Sequence, residues 1–209
     1  MFESSSTELS RRCSIVPDPH FAELGSALAE RLEHVGTRVS PQNFASLLDP
    51  LMREAWQQGL DEAGAHEGTI WLLESEGHHL VPAYNTGPNA HRIVGTFRQP
   101  LNEGLICMVF ASEQPFVENE VHKNARQSRQ LDGLLQEQTY ALVALPFYFL
   151  KCCRGVASCV LLRRAGAQEP EPPGFSHVHL AAMQRASSVL SRLLEYRLLS
   201  STVGWQTDS

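Results

Sequence analysis

The chain has 209 residues, 43% of them hydrophobic and 19% charged, and a formal charge of -6. That is too apolar for a disordered chain and long enough for one domain with its own core. The acidic balance and the lack of a Lys/Arg block exclude nucleic acid as an expected partner, and the longest apolar run, Tyr140 to Leu150, is broken by Pro146 and falls far short of the roughly 20 residues of a membrane span.

Residues 1–18 read as a flexible tail, rich in Ser at first and ending in the Pro17-Asp18-Pro19 break. Residues 19–200 read as a single domain and 201–209 as a second tail. A helix is predicted from Pro19 to Val35, with Phe21, Leu24, Leu28 and Leu32 on one face. A second opens at Ser40-Pro41 with Ser40 as N-cap, and Pro50 should kink or interrupt it. Glu67 to Leu73 and His78 to Tyr84 form a hairpin around Glu74-Ser75-Glu76-Gly77. Asn85 to His91 is a loop.

Val94 to Asn124 reads as one unit. A strand runs from Val94 into Pro100-Leu101, and a turn follows at Asn102-Glu103-Gly104. Asn102 caps a short apolar helix from Leu105 to Ala111, with Glu103 at its positively polarised start. Gln114-Pro115 breaks the chain before a strand from Phe116 to Val121. Asn124 to Gln138 is predicted helical. Thr139 to Leu150 is a central strand with Pro146 at a bend or an unpaired position. Lys151 to Arg154 is a turn, Gly155 to Arg164 the partner strand, and Ala165 to Gly174 a loop. Phe175 to about Ser201 is the longest helix. Val178, Ala182, Val189 and Leu193 lie on one stripe, with Ala186, Leu190, Leu194 and Leu198 beside it. The order predicts an α+β fold: an antiparallel sheet of five to six strands with helices on both faces.

Four runs, G-x-F-R-Q-P-L-x-E-G-L-I from Gly95, A-S-x-Q-P-F-V from Ala111, A-L-V-A-L-P-F from Ala141 and R-G-V-A-S-C-V-L from Arg154, resemble a GAF domain in order and spacing. The resemblance spans roughly residues 40–200. It implies a GAF/PAS-like sheet with the N- and C-terminal helices packed together on one face and a ligand pocket on the other. On that layout the pocket residues are Tyr84, Phe97, Arg98, Cys107, Phe110, Phe116, His122, Leu131, Thr139 and Tyr140.

Cys13, Cys107, Cys152, Cys153 and Cys159 make an odd count, and the polar start has no apolar leader, so a reducing, cytoplasmic setting is expected. Metal spacing is absent: no Cys-x-x-Cys occurs, and His78 and His79, adjacent on a strand, point to opposite faces. Cys107 and the Cys152, Cys153 and Cys159 group are candidate redox thiols, with Lys151 and Arg154 placed to lower a thiol pKa. One GAF branch reduces free methionine sulfoxide. Its Gly-Val-Cys-Gly motif is matched one place out of step by Gly104-Leu105-Ile106-Cys107, and Leu135-Gln136 stands where its Cys-Asp pair would fall. The signatures of the branches that bind cyclic nucleotides or tetrapyrroles do not carry over.

No arrangement of groups commits the chain to a reaction. The expectation is therefore a non-enzymatic sensory or regulatory module. It would bind a small molecule, form a homodimer through its terminal helices and signal through an effector protein partner, with no nucleic acid and no membrane. The alternative is a cysteine-based redox enzyme or thiol sensor.

Overall fold

The computed structural model of the chain describes residues 19–164 and 171–203, with side chains from 23–163 and 171–203. The predicted tails at 1–18 and 204–209, Cys13, the Phe21 side chain and positions 165–170 of the predicted loop lie outside the described residues. The elements are α1 (Pro19–Thr37), α2 (Phe44–Leu47), α3 (Pro50–Ala63), β1 (Glu67–Leu73), β2 (His79–Asn85), α4 (Ala90–Ile93), β3 (Gln99–Pro100), α5 (Leu105–Ser112), β4 (Phe116–Glu118), a 3₁₀ turn at Val121–Lys123, α6 (Gln130–Leu135), β5 (Glu137–Phe149), β6 (Cys152–Arg164) and α7 (His177–Val203). The strands form one antiparallel sheet in the order β3-β2-β1-β6-β5-β4. The fold is α+β, as the element order predicts.

Alternation along the strands divides the sheet into two faces. On one face Ile70 and Leu72 of β1, Val143, Leu145 and Phe147 of β5, and Ala157, Cys159 and Leu161 of β6 pack against Phe44, Met52, Trp56 and Leu60 and against Met183, Leu190, Leu194 and Leu198 of α7. Helix α3 lies along α7, and α1 also packs on α7, so the two ends of the domain meet on this face. On the other face Trp71, Leu142, Ala144 and Val156 pack under Leu105, Cys107 and Val109 of α5. The α3–α7 contact is close because Gly59 has no side chain: a Cβ there would stand 2.3 Å from the Ala186 Cβ.

Several boundaries differ from the sequence-based expectation, each for a local reason. The second helix is interrupted at Pro50 as expected, where α3 starts afresh with Asp49 as N-cap accepting from the Met52 N–H at 2.8 Å, but its first part begins only at Phe44, with Asn43 and not Ser40 as N-cap. The stretch from Val94 is no strand: α4 ends there, and the Gly95 N–H donates to the Pro82 carbonyl at 2.8 Å, leaving only Gln99–Pro100 to pair with β2. The N-cap of α5 is Gly104 at φ 85°, not Asn102, which leaves Glu103 ahead of the helix. Strand β4 ends at Glu118. The predicted helix of 124–138 shrinks to α6, closed by Gln136 in the left-handed region at φ 58°. Pro146 pairs in register with Val156, and the irregularities of β5 fall at Thr139/Ala141 and Phe147/Tyr148 instead. The β5–β6 turn is only Leu150–Lys151, both at positive φ, so β6 begins at Cys152. Helix α7 runs through Val203, past the predicted start of the C-terminal tail.

Candidate functional site: a roofed cavity over the sheet

Glu67, Thr69 and Trp71 alternate with the core residues of β1 and so face the layer of small helices. Their cross-strand partners on β6 are Val160, Ser158 and Val156. Thr69 also stands opposite Asn85 of β2. On β5 the irregularity at Thr139/Ala141 keeps Glu137 and Thr139 on the same side as Leu142. Together these residues floor a cavity that Ile93 of α4, Ile106 of α5 and Gln127, Leu131, Asp132 and Leu135 of the α6 region roof over. It offers about 70 Å³ to the centres of water-sized molecules. One water needs roughly 10–15 Å³ on that measure, so there is room for several waters or a solute of a few heavy atoms. The larger hollows at the surface, such as the 530 Å³ groove between Leu101–Ala111 and Ala125–Ser128, are open clefts.

The roof is tied to the floor by polar contacts. The Asp132 carboxylate accepts from both the backbone N–H and the hydroxyl of Thr139, at 3.1 and 2.7 Å. Arg92 donates to the Leu134 carbonyl at 2.7 Å, joining α4 to α6, and Asn89 donates to Glu137 Oε1 at 3.4 Å. In the floor, the Trp71 indole N–H donates to Ser158 Oγ at 3.0 Å, and Asn85 Nδ2 donates to Thr69 Oγ1 at 2.9 Å. Asn85 also reaches Glu67 Oε2 at 3.4 Å. Glu67 is only 7% exposed. Burial raises its pKa above the ordinary carboxylate value; the Asn85 hydrogen bond opposes this and the nearby Glu137 charge adds to it. Glu137 Oε2 is buried without a hydrogen-bond partner among the described residues. Gly87 lies directly over Glu67: a Cβ there would come within 2.1–2.2 Å of the carboxylate.

Of the ten pocket residues named from the sequence, Leu131 and Thr139 line this cavity. Phe97, Cys107, Phe110 and Phe116 lie in the same helical layer, in the apolar cluster around Trp71, with the Phe97 and Trp71 rings edge to face at 6.2 Å. Arg98 is exposed and ion-paired with Glu74 at 3.2 Å. Tyr84 belongs to the α3–α7 face, with the Arg53 guanidinium 5.4 Å from its ring centroid. Tyr140 packs with that face too, because the strand irregularity turns it away from Thr139. His122 stacks on Tyr140 at 5.5 Å with its Nδ1 buried and without a hydrogen-bond partner among the described residues, and the Tyr140 hydroxyl donates to Glu171 at 3.0 Å. The polar floor of Glu67, Thr69, Asn85, Glu137 and Ser158 was not named from the sequence. Its one visible signal is the period-two series Glu67, Thr69, Trp71 interleaved with Ile70 and Leu72.

The four described cysteines do not form one redox centre. Cys107 and Cys159 sit on opposite faces of the sheet, and burial pushes each thiol up to about 12, with the Glu103 charge adding to the shift at Cys107. Cys153 and Cys159 are six residues apart along one strand, roughly 20 Å. Cys152 is exposed at the hairpin end. The Cys153 thiol is raised by burial rather than lowered by Lys151 and Arg154. Buried thiols of this kind are largely unreactive at neutral pH. Among the described residues no group of three or more His, Cys, Asp or Glu is placed to hold a metal ion. No described helix is long and apolar enough to cross a membrane.

This six-stranded antiparallel sheet, with terminal helices behind it and short helices enclosing a cavity in front, is the fold of a GAF domain. No family model matches the chain, nor does any curated protein sequence. Solved structures do match. The GAF domain of a Coxiella burnetii phosphoenolpyruvate-protein phosphotransferase superimposes with a TM-score of 0.56 at 14% identity, covering 86% of this chain and 97% of that one. The GAF domain of the Acinetobacter phosphoenolpyruvate-protein phosphotransferase gives 0.53 at 16% identity, covering 87% and 97%. A free methionine-R-sulfoxide reductase from Neisseria meningitidis, in complex with its substrate, gives 0.50 at 15% identity, covering 90% and 95%. Identities this low carry the fold and leave activity open.

Proposed function

We propose that the chain is a sensory or regulatory module. It takes a small molecule into the cavity between β1, β5, β6 and α6, dimerises through α1 and α7, and passes the bound state to a partner protein. The observation that carries this reading is the cavity itself: a roofed hollow over a polar floor, with the roof tied down by a few hydrogen bonds. A site of this construction is suited to taking up a small solute. The roof helices α4 and α6 are short, bonded to each other through Arg92 and to the floor through Asp132 and Asn89, so occupancy has a direct route to their positions. Dimerisation rests on α1, where Leu24 is 64% exposed and Leu28 and Leu32 are half-buried, and on Val189 and Tyr196 of α7, which also face outward.

The Neisseria neighbour is an enzyme, so cysteine chemistry is the second reading. Against it stand the raised thiols of Cys107, Cys153 and Cys159 and their dispersal over the fold. Native mass spectrometry of protein purified from its own host separates the two. The sensor reading expects a dimer carrying a retained small-molecule mass, unchanged when every cysteine is replaced by alanine. Loss of the bound mass in the cysteine-free protein, together with thiol-dependent sulfoxide reduction by the wild type, would establish the enzyme instead.

A further inference from the structure

The cavity has a charge character that narrows its ligand. Among the described residues its lining includes three carboxylates, Glu67, Asp132 and Glu137, and no Lys, Arg or His. Asp132 is already met by two donors from Thr139. The other two are not. Glu67, nine-tenths buried, accepts at Oε2 a long 3.4 Å contact from an Asn85 amide that is better bonded to Thr69. Glu137 Oε2 is buried with no donor at all among the described residues. The two carboxylates are close enough for the charge of one to act on the other. A buried carboxylate oxygen without a donor is costly, and a second buried carboxylate close by adds repulsion to that cost. A group bringing positive charge and N–H donors between them would relieve both at once.

We propose that the cavity binds the cationic head of a small organic molecule, a primary ammonium or a guanidinium, held between Glu67 and Glu137. The proposal rests on the ligand-binding reading above and adds the class of ligand. A bare metal ion fits less well, since the described acidic groups do not converge as a metal site would require. The Trp71 indole, fixed to Ser158 on the cavity floor, offers an apolar and aromatic surface to the carbon portion of such a cation. The available space sets the size: about five heavy atoms fit, which matches the head of a larger molecule or a complete small one.

The test uses three probes of nearly equal size: methylguanidinium, the neutral methylurea, and acetate. Each is titrated at low-millimolar concentration into the full-length protein while the Trp71 indole N–H resonance is followed by NMR, assigned with a Trp71→Phe variant. Methylguanidinium should shift that resonance saturably. Methylurea and acetate should not. Glu137→Gln and Glu67→Gln should each weaken the methylguanidinium response about tenfold or more, the size expected for losing a charged hydrogen-bond partner. Far-ultraviolet circular dichroism and thermal midpoint of each variant establish that it is folded. Preference for methylurea or acetate, or an unchanged methylguanidinium affinity in a folded Glu137→Gln protein, overturns the cation while leaving a ligand-binding cavity. Silence from all three probes overturns the cation, and the ligand-binding reading is then decided separately by whether native mass spectrometry finds a retained small molecule.

Discussion

Glu67 is buried because it begins a strand whose alternate residues face the roof, and its carboxylate fills the space above Gly87 that a side chain there would take. The energetic sign follows from its raised pKa. The folded state keeps the Glu67 proton at pH values where the unfolded chain has released it. The contribution to stability is therefore greatest below the ordinary carboxylate value and is lost as pH rises through the raised one. In urea denaturation over about pH 4 to about pH 8, wild type should lose stability relative to Glu67→Gln as the pH increases. Parallel profiles would mean that the carboxylate is solvated like any surface acid. Gly87→Ala should displace the same carboxylate, with a cost of about 1–3 kcal/mol at the thermal midpoint. That Glu67 was missed from the sequence has a plain cause. An acid at the first position of a strand reads as solvent-facing, and only the placement of β6 and β5 beside β1 brings Glu137 within its electrostatic reach.

At the scale of elements, the α3–α7 contact and the α6 latch behave differently. Gly59 allows α3 to lie against Ala186 of α7 in the core. Gly59→Val should push the helices apart and lower global stability by about 1–3 kcal/mol, read as a shift of the denaturation midpoint at constant slope. The roof helix α6 has six residues and none fully buried; it is held by the packing of Leu131 on the cluster around Trp71 and by polar contacts with Thr139, Arg92 and Glu103. Asp132→Ala should speed amide hydrogen exchange across Gln130–Leu135 by about tenfold or more while leaving β5 and β6 protected. Equal loosening of the whole domain would show that α6 is part of the global unit. These elements also mark what a sequence discloses. The hairpin of β1 and β2 was legible because its alternation and turn are local. The boundary at Pro50 was legible because proline chemistry is local. The run from Val94 to Arg98 misled because its β-branched and aromatic residues favour a strand, yet Gly95 bonds back to Pro82 and Phe97 goes to pack on Trp71. The extent of α6 was likewise set by tertiary contact, not propensity.

For the whole molecule, the sheet divides the domain into a support and a chamber. The support, α1, α3 and α7, carries the outward apolar residues Leu24, Val189 and Tyr196. A double change of Leu24→Glu and Leu28→Glu should shift the protein from dimer to monomer in sedimentation equilibrium without altering its circular dichroism. A wild-type monomer at all concentrations would remove the dimer from the account. The face of the chamber was legible from the resemblance to GAF domains, which set the ligand side opposite the terminal helices. Its acidic floor was not, because it is assembled from β1, β2, β5 and β6, which are far apart in the chain. The most direct test of the central claim is a high-resolution crystal structure of protein purified from its own host. The account predicts a small molecule in the space bounded by Glu67, Trp71, Glu137 and Leu131, with nitrogen atoms against the two glutamates. Leu131 and Ile106 packed down onto Thr69 and Ser158, leaving no such space, would contradict it.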